Sequence, residues 1–136
     1  MKKEMQYQDW RRGYRETHRD EFNTWRREQY ANDPEYKILA VQRSRLTVAC
    51  KKAKVGKAGK TNSLIGCPIS ELREHIESQF QEGMTWENYG EWHVDHILPC
   101  TYFDLKCPLQ QRLCFGFWNL QPLWAGENRR KYNKLT

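Results

Sequence analysis

The sequence predicts an α+β protein, with a basic, mostly helical front half followed by a unit ordered strand, long connection, strand, helix. Three observations predict it. Tyr7, Trp10, Tyr14, His18, Phe22 and Trp25 recur at steps of three or four, the spacing of one helix face. Two short runs near the end, "EWHVDHILP" and "NLQPLW", have the length and apolar content of strands. Charge is also divided: residues 1–60 hold 16 Lys and Arg against 8 Asp and Glu, and residues 61–136 hold 7 against 9. The basic part is suited to gripping a polyanion and the other to holding metal or performing chemistry. The expected division is therefore a helical arm over 1–60 and a second domain over 61–136.

Each element has its own signal. A first helix is expected over residues 5–31, with Arg11, Arg12, Arg15, Arg19, Arg26 and Arg27 around its aromatic stripe. "ANDPEYK" breaks it, since Asp33 can cap and Pro34 suits a first helical turn. A second helix follows over 34–52, with Leu39, Leu46 and Cys50 beside Arg43 and Arg45. "KKAKVGKAGKTN" reads as a solvated, flexible loop and marks the boundary. "CPISELREHIESQF" places Ile69, Leu72, Ile76 and Phe80 on one face of a third helix, with His75 at its rim. The two strands then flank a connection holding a short helix over 109–115. "AGENRRKYNKL" forms the last helix, entered through Gly126.

Several classes are disfavoured. No apolar run approaches the roughly 18–20 residues of a membrane span, and "MKKEMQYQDW" lacks the apolar core of a secretory signal. An intracellular protein is expected. Cys50, Cys67, Cys100, Cys107 and Cys114 are an odd set with no C-x-x-C pair, which argues against a disulfide scaffold and against structural zinc. Free, partly buried thiols are the expectation, and a site drawn from Cys100, Cys107 and Cys114 is the alternative.

Two histidines and an aspartate inside "EWHVDHILP" are unusual for a purely structural strand. Alternation places His93 and Asp95 on one face, with Val94 and His96 on the other unless a bend before Pro99 re-aims His96. Asp95 is a hard oxygen donor of the kind Mg²⁺ prefers, and His96 can accept a proton from water near neutral pH. Phosphodiester hydrolysis needs both functions. An Asp-His pair alone is weak evidence. Asn119 at the second strand and Asn128 on the last helix, followed by Arg129, Arg130 and Lys131, strengthen it.

Together, "HVDHILP" and "NLQPLWAGENRRK" resemble the HNH motif of the HNH endonucleases, a ββα-metal fold, and especially the small members encoded by phages and large viruses. The likeness extends upstream through "LIGCPISELREHIESQFQEGMTWENYGEW", covering residues 64–134. The resemblance implies that Asp95 is the first metal ligand, His96 the general base, Asn119 the brace of the loop between the strands, and Asn128 the second metal ligand. Many members carry His at that last position. Two oxygen donors would favour Mg²⁺ or Mn²⁺ over softer metals. The implied activity is metal-dependent DNA hydrolysis with one divalent ion, leaving 5′-phosphate and 3′-hydroxyl ends, by nicking or by double-strand cleavage.

His93 is left with several roles: metal support, phosphate contact, or the end of a hydrogen-bond network. Arg129, Arg130 and Lys131 are expected to meet phosphate, and Arg43 and Arg45 to contact the DNA backbone from the basic helices. Core packing is expected of Trp92, Trp118 and Trp124. The aromatic stripe is expected to pack on another helix or on a homodimer partner. A binding protein with a dead site on the same scaffold is the main rival, and the intact set of Asp95, His96, Asn119 and Asn128 speaks against it. If virally encoded, the protein would act inside the host cell.

Overall fold

The structure is a computed structural model describing residues 2–131, with side-chain surroundings from residue 6 onward. It divides into two compact units, Met1–Asp33 and Pro34–Thr136.

The first unit contains α1 (Lys2–Thr17) and α2 (Arg19–Asn32). The single helix expected over 5–31 is thus interrupted at His18, whose φ of −104° and ψ of 9° leave the helical region. The backbone ladder still runs through this point, His18 N–H donating to Tyr14 O and Phe22 N–H to His18 O. Alongside it, Thr17 Oγ1 donates to the Gly13 carbonyl and the His18 ring bonds the Tyr14 carbonyl. The aromatic stripe is present as successive stacked pairs, Tyr7–Trp10, Trp10–Tyr14 and Tyr14–His18, then Phe22–Trp25. It is not buried: Trp10 is 62% exposed and Trp25 48%.

The second unit opens with α3 (Pro34–Lys52), so the boundary falls after Asp33 and not after residue 60. Burial supplies the reason. Ile38 enters one core cluster with Ile65, Leu72, Ile76, Trp92, Val94 and Leu120. Leu46 and Cys50 enter another with Leu64, Leu105, Cys114 and Phe115. A helix inserted into both clusters belongs with the back half, whatever its charge.

The expected flexible loop is also anchored. Gln111, buried in α6 (Pro108–Phe115), accepts from the Ala58 amide at 2.8 Å and donates to the carbonyls of Gly56 and Leu105 at 2.9 and 2.8 Å. Past that loop, α4 (Thr61–Ile65) buries Leu64 and Ile65 and ends at Gly66, whose φ of +81° suits glycine. α5 (Ile69–Glu77) buries Leu72 and Ile76, as its spacing predicts.

The sheet has two antiparallel strands, β1 (Trp92–His96) and β2 (Leu120–Trp124), in a register pairing His96 with Leu120 and Trp92 with Trp124. Trp92 and Val94 face the core, where Trp92 meets Phe80, Trp86 and Tyr89 edge-on. The ladder bonds Ile97 N–H to Asn119 O and Ala125 N–H to Glu91 O fix which residues point outward along the sheet plane. Val94 and Pro122 are such an outward pair, so the missing N–H of Pro122 removes no bond between the strands. The outward carbonyls of β1 are occupied: Trp92 O by the Gly90 amide, Val94 O by Arg45, and His96 O by Lys131. On β2, Leu120 O accepts from Gln79 at 3.2 Å.

α7 (Ala125–Lys131) follows β2 directly, starting one residue before Gly126 and packing on both strands. Its expected continuation through 132–135 lies outside the described residues. Among the described residues, no helix is long and apolar enough to cross a membrane.

Candidate active site

The strand end at Asp95 and His96 is the centre of the candidate site, and alternation along β1 sends the two side chains to different surroundings. His96 stands edge-on to Phe115 at 5.8 Å, on the side of the second core cluster. Its Nε2 is buried and has no hydrogen-bond partner among the described residues. Asp95 faces α7 instead. Its Oδ2 accepts from Lys131 Nζ at 2.6 Å, and the same ammonium reaches the carbonyls of His96 and, at 3.2 Å, Ile97.

Lys131 therefore differs from its sequence expectation. Expected to meet phosphate, it is turned inward, with its side chain 3% exposed against 14% for Asp95. The reason is geometric. Lys131 is the last described residue of α7, on the face lying against β1, where three oxygen acceptors compensate its charge. Arg129 and Arg130 remain exposed.

Asn128 precedes Lys131 by three residues on the same helix, so both project towards one face. The Asn128 carboxamide is half-buried and makes no hydrogen bond among the described residues, and neither does Asp95 Oδ1. A carboxylate oxygen and an amide oxygen without other partners among the described residues, on a strand end and the helix packed against it, are the donor type a hard divalent cation takes.

Asn119 holds the connection between the strands. Its Oδ1 accepts from the Leu98 amide at 2.8 Å, while Nδ2 donates to Leu98 O at 3.0 Å and Cys114 O at 2.8 Å. The residue is 6% exposed. Replacing Asn119 with Ala leaves a buried amide and two carbonyls without partners, each group costing about 1–3 kcal/mol. We expect Asn119→Ala to lower unfolding stability by more than about 2 kcal/mol. Urea denaturation tests this, and a midpoint equal to wild type would remove the bracing role.

His93 lies on the α7 side, edge-on to Tyr89 at 5.7 Å. Burial pushes its pKa below the usual value, and the guanidinium groups of Arg45 and Arg129 push it further. Neutral imidazole is thus the favoured form. Arg45, half-buried on α3, donates to Val94 O and is tied to the strand. Arg43 is exposed beside a hollow lined also by Lys57, Lys60 and Thr61. Trp92 is buried and Trp124 partly so, whereas Trp118 is 46% exposed, lies over Gly116 and donates to Leu113 O. A Cβ at Gly116 would fall 2.1 Å from the Trp118 ring, so this close approach requires glycine.

With this geometry in view, comparison with known proteins yields two relatives, both uncharacterized proteins of Acanthamoeba polyphaga mimivirus. One is 39% identical over 107 residues, covering 78% of this chain and 46% of that protein. The other is 43% identical over 94 residues, covering 68% of this chain and 40% of that protein. The chain thus spans less than half the length of these relatives. No family model matches the sequence, and no solved structure matches it significantly.

One feature beside His96 had little signal in the sequence. Cys100, on a 3-10 turn (Cys100–Tyr102), and Cys114, on α6, approach to 3.1 Å between sulfurs, with Cys114 donating. That hydrogen bond, with a smaller contribution from His96, pushes the Cys100 thiol well below its usual pKa, while Cys114 is pushed up. Cys107 is not part of this group. It precedes the first turn of α6, and His96 takes the third position. A spacing of 14 residues between two cysteines gives no local pattern to read.

Proposed function

We propose that the protein is a metal-dependent DNA endonuclease of the HNH type, with a ββα-metal core formed by β1, β2 and α7. One observation carries the reading. Asp95 and His96 end a strand whose partner begins just after Asn119, and the following helix docks on Asp95 while presenting Asn128 to the same side. That order of strand, strand and helix is the one the HNH resemblance implies, and it supports assigning these residues the roles that go with it.

The residues have separable tasks. Asp95 and Asn128 would hold Mg²⁺ or Mn²⁺, and when bound the ion supplies charge stabilisation to the scissile phosphate and the departing 3′ oxygen. Lys131 fixes the Asp95 carboxylate through Oδ2 and leaves Oδ1 for the cation. Because Nε2 of His96 is buried, Nδ1 is the nitrogen that takes the proton from the attacking water. Asn119 is a positioning residue. By tying Leu98 to Cys114 it holds the backbone on either side of the imidazole. His93, kept neutral between Arg45 and Arg129, serves the phosphate-facing side and not as a charged group. The expected products are a 5′-phosphate and a 3′-hydroxyl.

Binding would draw on the exposed basic residues, namely Arg43 with Lys57 and Lys60, Arg129 and Arg130, and the arginines of α1 and α2. The exposed aromatic stripe is the surface we assign to a homodimer. The viral source of the two relatives agrees with an enzyme acting in an infected host cell.

The direct test is conversion of supercoiled plasmid to open-circle or linear DNA in Mg²⁺ or Mn²⁺, its loss in EDTA, and its loss in Asp95→Ala. DNA binding without cleavage in either metal, on several plasmids, would favour the rival reading of a binding protein on this scaffold. Affinity should also fall steeply with salt, because each phosphate contact releases counterions. A fluorescent-duplex titration between 50 and 200 mM salt should show a loss of roughly 10³-fold if six or so phosphates are contacted. A flat response would remove the phosphate-gripping role of residues 1–60.

A further inference from the structure

We propose that His96, Cys100 and Cys114 form a second, soft-metal site suited to Zn²⁺, which draws on the imidazole at the end of β1. One donor atom from each lies within 4.8 Å of the others. The three come from different elements: the strand end, the 3-10 turn and the C-terminal part of α6. Asn119 ties two of those backbones together, bonding Cys114 O and both polar groups of Leu98, two residues before Cys100. The donors are thus held in place without a metal.

Their chemistry differs from that of the neighbouring oxygen donors. Two thiolates and an imidazole select zinc, whereas Asp95 and Asn128 select a harder ion. Zn–S bonds of about 2.3 Å and Zn–N bonds of about 2.0 Å place the ligand atoms of a tetrahedral site roughly 3.5–3.8 Å apart. The sulfurs, now 3.1 Å apart through an S–H···S bond, need to separate by less than an ångström. Both thiol protons leave to solvent, and the metal replaces the hydrogen bond between the sulfurs. The His96 imidazole supplies the third ligand through one of its ring nitrogens. A fourth position stays open to water. Cys50 shares the surrounding core cluster but lies outside the group of three.

Coordination has a consequence for the imidazole. With one ring nitrogen on the metal, the remaining proton sits on the other, and neither is left to accept one. Zinc would therefore switch off the base. This consequence rests on the nuclease reading; the site itself does not.

The test uses the full chain, metal-free and kept reduced so that Cys100 and Cys114 cannot pair as a disulfide. Titration with Co²⁺ should bind one equivalent with near-ultraviolet sulfur-to-cobalt charge-transfer absorption, and added Zn²⁺ should bleach it. Cys100→Ser should lose the band. Asp95→Ala should keep it, since oxygen ligands give no such absorption. Should Cys100→Ser not fold, a second measurement on wild type stands in: Zn²⁺, but not Mg²⁺, should protect Cys100 and Cys114 from iodoacetamide, read by mass spectrometry. Absence of the band, its survival in folded Cys100→Ser, or unprotected cysteines would overturn the site. Cobalt binding without cleavage of several plasmids in Mg²⁺ or Mn²⁺ would sink the nuclease reading and leave this site standing. Cleavage without cobalt binding would do the reverse.

Discussion

His96→Ala should reduce metal-dependent plasmid cleavage by about 10²–10⁴-fold, the contribution of a positioned general base. The substitution removes the only imidazole at the end of β1 and leaves Asp95 with its Lys131 partner. DNA affinity should change little, because the exposed basic residues lie elsewhere. A gap beside Phe115 is the structural side effect, so thermal melting should accompany the kinetics. A cleavage rate within a few-fold of wild type in a folded variant would show that another group takes the proton. That result would leave Asp95 and Asn128 as metal ligands but remove the mechanism built on His96.

Lys131→Met should have the largest effect on stability, about 3–5 kcal/mol, since it strands a nearly buried carboxylate and frees the carbonyls of His96 and Ile97. The methionine keeps most of the side-chain volume, so packing loss contributes little. Pairing it with Asp95→Asn should recover part of the loss, because the uncompensated anion is then gone. Denaturant unfolding of both single variants and the double variant measures the coupling. Strict additivity would argue that the ion pair contributes no net energy, and that Lys131 acts only through the two carbonyls. If Mg²⁺ stabilises wild type but not Asp95→Asn, the same series locates the cation as well.

Much of this architecture was legible because its signals are local. Pro34 after Asp33, the four-residue rhythm of Leu72 and Ile76, and the apolar run from Trp92 each determine an element over a few residues. The alternation of β1 anticipated that His96 would part from Asp95. Other features depend on distant partners. α4 spans five residues, too few to show a period. The allegiance of α3 is decided by where Ile38 and Leu46 are buried, while its composition suggested membership of the basic arm. Lys131 sits in a run of three basic residues that reads as uniform, and only docking against β1 separates it from Arg129 and Arg130. The meeting of Cys100 with Cys114 is likewise a product of the long connection folding back.

The occupied outward carbonyls of the sheet bear on how this protein can associate. An extended segment from another molecule joins a sheet by offering donors to free carbonyls and acceptors to free amides. Here Trp92, Val94 and His96 have already spent their outward carbonyls on Gly90, Arg45 and Lys131, and the carbonyl of Leu120 on Gln79. Pro122 has no amide to give. A two-stranded sheet would otherwise be all edge, open to fibre-like stacking and to capture of stray peptide. With these four carbonyls filled from within and one amide missing, an added strand would find few groups to pair with, which favours recognition through helices, loops and side chains.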